Sequence, residues 1–357
     1  MTILLTAIAI LLLAISVWQI SKIFEVSNLG VKRDESQIAS EKDNDMQGKL
    51  MFLFLAFIYV VTIYSFASYT KVLLPESASE HGYTYDTLLW ISFALILFVQ
   101  TVTQALLHYF AYKYRGINGR KASFITHNNK LEFIWTIIPA IVLFIINFYG
   151  MNTWSEIMNF DEDEDAHVIE LYAQQWNWKA RYAGEDNVLG DANVRFLNDY
   201  DGRNIVGIDS SDPNGLDDVV VTQEFHLPVD RKVIFKFRSQ DVLHSAYMPH
   251  FRAQMNCVPG MVTEFSFTPT VTTADMRMNP DVVSKVERIN KIRYDNSQEL
   301  IAKGEMALEP YQFDYLLLCA KICGSSHYNM QMKIVVESEK DFNKWLSSQS
   351  TFSETIQ

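Results

Sequence analysis

Cysteine is scarce in this 357-residue chain, which has only Cys257, Cys319 and Cys323. Three cysteines cannot all pair, so a small fold stapled by a disulfide framework is excluded. Positive charge is short in one half only: residues 151–357 carry 19 Lys and Arg against 32 Asp and Glu, a net of −13, whereas residues 1–150 carry 11 against 10. An acidic second half argues against nucleic acid and points to a basic partner. Charge of either sign is missing altogether from four stretches, 1–21, 50–70, 87–112 and 133–155. The mean hydropathy of +0.01 is therefore an average over an apolar part and a polar part, and a single soluble domain is excluded. No internal repeat is present.

The four uncharged runs are 21, 21, 26 and 23 residues long, and roughly 20 apolar residues suffice for a helix to cross the hydrocarbon core. They predict four spans, at about 2–21, 50–70, 87–112 and 133–154, forming a membrane anchor over 1–155. No Lys or Arg precedes the first run, and it is longer than the roughly 7–15 apolar residues of a signal peptide, so a retained helix is expected. Segments 22–49 and 113–132 each hold five basic residues and segment 71–86 only Lys71. That asymmetry places the first and third loops in the cytoplasm and everything after Trp154 outside. The outer part, 156–357, opens with the acidic run Asp161–Asp165. Glu132 starts the fourth span, where the helix dipole favours an acid, and Pro139 lies about a turn further in, a break that membrane helices tolerate. His108, near the cytoplasmic end of the third span, reads as an interfacial or packed histidine.

From His167 the period changes from helical to alternating, as in His167–Tyr172 and Lys232–Phe237. Short β-branched and aromatic runs between Gly, Pro, Asn and Asp clusters predict antiparallel strands of an all-β sandwich or barrel. Gly184–Asp218, rich in Asp, Asn and Gly, reads as a long surface excursion. Residues 281–309, with Val282, Val286, Ile289 and Ile292 among alternating charges, read as a helical insertion within a wider one at about 270–310.

The sharpest local signal is the string Cys319-Ala-Lys-Ile-Cys323-Gly-Ser-Ser-His327-Tyr-Asn-Met330. Gly324-Ser325-Ser326 disfavours a continuous helix, so these groups should converge through a loop between strands. Two thiolates, an imidazole and a thioether form a soft donor set that suits copper better than calcium, magnesium or zinc. Two cysteines four apart would by themselves fit a disulfide equally well. Asp241-Val-Leu-His244-Ser245 supplies a further histidine at the end of a predicted strand, while His167, His226 and His250 are candidates without a motif.

In order along the chain, Glu132-x-x-Trp-Thr-Ile-x-Pro139, Gln175-Trp-x-Trp178, Asp241–Ser245, Pro259-Gly260 and the Cys319–Met330 string resemble subunit II of the haem-copper cytochrome c oxidases over roughly residues 87–357. The resemblance implies a cupredoxin-like Greek-key barrel on a transmembrane hairpin, in a bacterial inner membrane with the barrel on the periplasmic side. It implies a dinuclear copper A centre: Cys319 and Cys323 bridging the metals, His244 and His327 capping them, Met330 as a weak ligand, and the main-chain carbonyl of Lys321 completing the set. Trp176 would receive electrons from cytochrome c or a membrane-bound cytochrome. Glu132 would stand near the mouth of a proton path into subunit I, whose haem would pass the electrons to O2 with proton translocation. Oxidase subunit I, other oxidase subunits and membrane lipid are the partners so implied.

Several residues depart from that family. Lys321 replaces a usual Glu, which leaves a main-chain ligand untouched but puts a magnesium ligand from this chain in doubt. Ala246 stands where an aromatic is common, Cys257 reads as structural or incidental, and the two spans within 1–70 exceed the minimal pattern. No Cys-x-x-Cys-His follows Met330, so no fused haem c domain is expected. Competing readings are a quinol oxidase subunit II that lacks copper, a membrane-tethered copper chaperone, and an anchored β domain with a Cys319–Cys323 disulfide.

Overall fold

The computed structural model describes residues 2–28, 40–158 and 166–357; the acidic run 161–165 lies outside them. Four long helices come first: α1 (Thr2–Asn28), α2 (Glu41–Leu73), α3 (Gly82–Lys113) and α4 (Asn129–Ile157). The apolar stretches Glu41–Thr70, Gly82–Lys113 and Asn129–Ile157 span 30, 32 and 29 residues. At 1.5 Å per residue each exceeds the ~30 Å hydrocarbon core, and their apolar side chains face outward, as a lipid solvent requires. Among the described residues, three helices are thus long and apolar enough to span. The expected fourth is not matched in the same way, because the described apolar stretch of α1, Ile8–Ile23, would cover only about 24 Å. Pro139 lies inside α4 without ending it, and Glu132 occupies its first turn beside Asn128, whose side chain accepts a hydrogen bond from the Leu131 N–H.

The chain forms two units, Met1–Ile63 with Val99–Thr126, and Tyr64–Phe98 with His127–Gln357. In the first, Asp45 of α2 meets Arg115 at 2.8 Å and Lys49 at 2.6 Å. His108 is buried there, its ring 6.0 Å from Phe54 and its Nδ1–H donated to the Gln104 carbonyl, a packed histidine.

The second unit carries the β domain. Its elements run β1 (His167–Gln174), β2 (Asn177–Tyr182), the four-residue turn α5 (Asp199–Gly202), β3 (Val219–Val221), β4 (Glu224–Pro228), β5 (Val233–Ser239), β6 (His244–Met248), β7 (Ala253–Cys257) and β8 (Thr263–Phe267). There follow α6 (Thr273–Met278), α7 (Pro280–Ala302), β9 (Tyr315–Cys319), β10 (Gln331–Glu337), α8 (Glu339–Leu346) and α9 (Phe352–Ile356). Two five-stranded sheets result, ordered β3-β2-β1-β5-β8 and β4-β10-β9-β6-β7. Alternation in β5, Val233-Ile-Phe235-Lys-Phe237-Arg-Ser239, buries every second residue, as a strand with one wet face must. Phe235, Phe237, Phe251, Phe265, Phe267, Leu171 and Ile334 fill the core. The pairing corrects the expectation of purely antiparallel strands, since β1–β5 and β4–β10 are parallel. Long connections separate those partners in sequence, which alternation within each strand does not reveal.

Gly184–Asp218 also differs from a simple surface excursion. Its Val206 and Ile208 are buried with Tyr172 and Phe352 in a second small cluster, worth roughly 1.5–3 kcal/mol per fully buried aliphatic side chain. Arg181 of β2, itself buried, donates to Asp218 and to the Gly190 carbonyl and meets Glu170 at 3.2 Å. The segment is therefore folded onto the sheet. The helical insertion expected over 281–309 is α7, which starts one residue earlier, is capped by the Asn279 side chain with Pro280 in the first turn, and ends at Ala302.

His250 lies in the turn Pro249–Phe251 between β6 and β7, edge-on to Phe313 and Tyr315, with its Nδ1–H donated to the Glu76 carbonyl at 2.8 Å. Burial depresses its pKa from 6.5 to about 4. A depressed histidine contributes its full stability above the unfolded value and loses it as pH falls through the folded one. The stability of the detergent-solubilised chain against thermal unfolding should therefore fall as pH drops from 6.5 to about 4, by up to roughly 3 kcal/mol from this group. His250→Asn should flatten that slope; an unaltered slope would refute the assignment.

Candidate metal centre

Strand pairing assembles the site. β6 lies antiparallel to β9 with Ala246 opposite Cys319, which sets His244, the first residue of β6 and fully buried, beside the end of β9. The histidine thus begins a strand rather than ending one. The loop leaving Cys319 is shut at its base, because the Cys319 N–H donates to the Met330 carbonyl at 3.2 Å and the Ala320 N–H to the Ser245 carbonyl at 2.9 Å. Within it a short 3-10 turn, His327–Asn329, returns the chain to β10. The expectation of a loop between strands is met.

The donors converge inside that loop. Cys319 Sγ and Cys323 Sγ lie 3.8 Å apart, too far for a disulfide. Cys319 Sγ is 3.8 Å from His244 Nδ1 and 3.1 Å from the Lys321 carbonyl oxygen. Cys323 Sγ is 3.5 Å from His327 Nδ1 and 3.8 Å from Met330 Sδ. Each thiol thus has its own imidazole and one further donor. Among the described residues, His244, Cys319 and Cys323 form a group whose ligand atoms all lie within 4.8 Å of one another. Burial, and then the adjacent Cys319 thiol, push Cys323 up to about 11. Ionising two packed thiols is costly unless a cation is present to balance them, so the residues fit a metal site.

Asp241 fixes the histidine. His244 donates its Nε2–H to Asp241 Oδ1 at 2.9 Å, which leaves the Nδ1 lone pair facing Cys319. Asp241 also accepts from the Val242 N–H and the Gln175 N–H, each at 2.7 Å. Burial raises the Asp241 pKa, but the Gln175, His244 and Val242 donors outweigh it and hold the carboxyl below its ordinary value.

Through Gln175 the same carboxylate steadies a second feature. Gln175 and Trp176 form the turn between β1 and β2, and the Gln175 side chain donates to the Cys323 carbonyl at 2.6 Å. Trp176 is 39% exposed, whereas Trp178 is buried and meets the His244 ring edge-on at 6.2 Å. The two tryptophans therefore do not share one packed face, because the turn ends the alternation between them. Trp176 rests directly on Gly324: a Cβ there would fall 3.0 Å from the indole Nε1 and Cζ2. With φ of +131° at that glycine, a side chain is refused on both backbone and contact grounds.

The motif-less histidines lie elsewhere. His226 is stacked on Trp345 at 3.9 Å and meets Glu337 at 2.6 Å, His250 packs as described, and the His167 ring meets Phe342 at 5.0 Å. Cys257, opposite His244 in the β6–β7 ladder, is a buried free thiol pushed up to about 12 by burial. Lys321, Ile322 and Tyr328 are exposed on the loop. Spacing and residue type assign no role to Asp241 or Gln175 and mark Gly324 only as a helix breaker; the hint of more is their place within the strings that carry His244, Trp176 and Cys323.

A family model described as the transmembrane domain of cytochrome c oxidase subunit II matches residues 67–153, and one described as its periplasmic domain matches residues 167–274. The alternative cytochrome c oxidase subunit 2 of Bradyrhizobium diazoefficiens is 32% identical over 276 residues, covering 77% of this chain and 83% of that protein. A cytochrome c oxidase subunit 2 from Thermostichus vulcanus is 23% identical over 315 residues, covering 80% and 81%. A solved periplasmic domain of cytochrome oxidase subunit II from Bradyrhizobium japonicum matches at 17% identity over 52% of this chain and 93% of that one, with a TM-score of 0.29, too low to bear on the fold.

Proposed function

The chain belongs to the cytochrome c oxidase subunit II family, as the electron-accepting subunit of an oxidoreductase complex anchored in a membrane with its C-terminal domain outside, and on that premise we propose that residues 156–357 hold a dinuclear copper A centre. Its ligands are His244, Cys319, Cys323, His327, Met330 and the main-chain carbonyl of Lys321. The observation that carries the reading is the division of donors into two halves around a thiol pair 3.8 Å apart, which suits two soft metal ions and is more than a mononuclear site needs. When bound, the centre supplies a one-electron relay between an external donor and the haem of oxidase subunit I, where O2 is reduced to water with proton translocation.

This chain's own residues set the conditions for that relay. The closed loop holds the donors in place, so little rearrangement accompanies a change of charge. Asp241 keeps His244 in the Nε2–H tautomer. Trp176 receives electrons at the surface, since it is exposed on one side and packed on the loop at Gly324 on the other. Nine acidic residues against two arginines make 184–218 an acidic lobe, folded onto Tyr172 and Lys179, whose Nζ donates to the Ile205 carbonyl. Lys179 in β2 lies three positions after Trp176 in the preceding turn, about 10 Å along an extended chain. A basic donor, cytochrome c or a membrane-bound cytochrome, is drawn to that side.

The anchor, residues 1–155, carries the remaining assignments. The α1 helix is a fourth span, supported by its 27-residue length and by the basic residues that follow it, in a bacterial inner membrane; a probe at its N-terminus would then label from the periplasm. Glu132, exposed in the first turn of α4, stands at the mouth of the proton path into subunit I. Lys321 offers no carboxylate, so the side chain at this position does not supply the ligand that the family's usual Glu gives a magnesium ion at that subunit's interface.

Copper analysis with electron paramagnetic resonance on the purified complex should find two coppers sharing one unpaired electron, and Cys319→Ser should abolish that signal; a metal-free or mononuclear domain sinks the reading. Reduction by a basic cytochrome c should slow as salt shortens the screening length to ~10 Å and below, and a salt-independent rate counts against steering. In a Glu132→Gln oxidase, turnover with normal proton uptake would remove the proton role.

A further inference from the structure

Arg252 makes an unusual concentration of contacts outside the metal centre. Its guanidinium engages Asp86 of α3 side-on, Nε to Oδ1 and NH2 to Oδ2, both at 2.7 Å. It also donates to the Pro249 carbonyl at 2.7 Å and to the Pro75 carbonyl at 2.6 Å. The arginine side chain is 3% exposed. Its backbone is left-handed, φ +51°, a conformation that a residue with a Cβ adopts only when its surroundings hold it there.

What Arg252 grips is the outer end of a membrane helix and the segment leading into it. Residues 74–81, between α2 and α3, are laid against the β domain: Ala78 N–H donates to the His250 carbonyl, Thr270 N–H to the Ala78 carbonyl, Glu80 N–H to the Thr268 carbonyl, and Ser79 Oγ to the Phe251 carbonyl, at 2.8–3.0 Å. Arg252 and Asp86 close that contact at the start of α3. On the other side, Arg252 follows β6 by a single turn, Pro249–Phe251. β6 is the strand that begins with His244 and pairs with the end of β9 at Cys319. One short strand, about 17 Å, joins the clamp to two of the proposed ligands.

We propose that the Arg252–Asp86 pair is a positioning joint, which holds the strand carrying His244 at a fixed place relative to the outer end of α3 and so relative to the acceptor in the membrane. The inference rests on the copper reading above. The step it serves transfers one electron from the reduced outer centre to the oxidised haem iron of the partner subunit; no bond or proton is exchanged, so separation and orientation are what a protein can fix. A guanidinium–carboxylate fork suits this task because it sets both distance and direction.

Asp86→Asn and the milder Arg252→Lys, each in the assembled oxidase, separate a joint from a general stabiliser. Both variants should retain the wild-type copper content and spectrum, and the wild-type rate of reduction by the external donor. Hydrogen exchange should quicken at the Ala78, Glu80 and Thr270 amides, which open locally once the clamp is lost. Transfer from the outer domain to haem should slow by roughly tenfold or more, the scale that small misplacements of reacting groups produce. Copper-loaded variants with unchanged exchange and unchanged transfer overturn the inference alone, as does a spectrum that changes in step with the rate. A wild-type complex without copper overturns the metal reading and this one with it.

Discussion

The pairing of β6 with β9 is the constraint on which the outer half of this protein depends. Two neighbouring rungs, Ala246 with Cys319 and Tyr247 with Leu318, join a histidine and a cysteine that stand far apart in the chain. With that register set, the Ala320 and Cys319 amides have carbonyl partners at Ser245 and Met330, and the loop between Cys319 and Met330 has fixed ends. A slip of one residue would turn His244 to the opposite face of the sheet. The site would then lose its first imidazole while every residue of the string remained present.

This dependence explains what could be read in advance and what could not. The string from Cys319 to Met330 announces its chemistry because the donor types are unusual together, and uncharged apolar runs point to membrane helices because lipid tolerates so few alternatives, although of the four runs so read only those in α2, α3 and α4 give, among the described residues, helices long and apolar enough to span. Parallel pairing of β1 with β5 and of β4 with β10 was invisible, since alternation reports which face of a strand is buried and not which neighbour it takes. Trp176 and Trp178 look equivalent by spacing, yet a turn at Gln175–Trp176 puts one on the surface and the other beside His244. The roles of Asp241 and Gln175 do not show in sequence because their work is to hold other groups, and a carboxylate or an amide beside a strand has many ordinary uses.

Acidity in the lobe 184–218 has a structural cost that its composition conceals. Like charges repel, and a segment so rich in Asp has little apolar surface with which to hold itself in place. It is retained by Val206 and Ile208 in a small cluster, and by Arg181, which is buried between Asp218, Glu170 and the Gly190 carbonyl. Removing one partner of such a buried network leaves an uncompensated charge, at a cost of roughly 3–5 kcal/mol. The exposed acids are thus free to face a partner because a few buried groups carry the folding.

Cys257 shows a different economy. It pairs with His244 across the β6–β7 ladder, fully buried, with its thiol held protonated far above neutral pH. A protonated, solvent-shielded thiol is a poor nucleophile. In an extracytoplasmic compartment, where oxidants seek out exposed thiols, an odd cysteine would ordinarily invite scrambled pairing or cross-linking between molecules. Here the third thiol is screened from that chemistry, so thiol oxidation in this domain is confined to the Cys319–Cys323 pair, and whatever occupies their loop is also their protection.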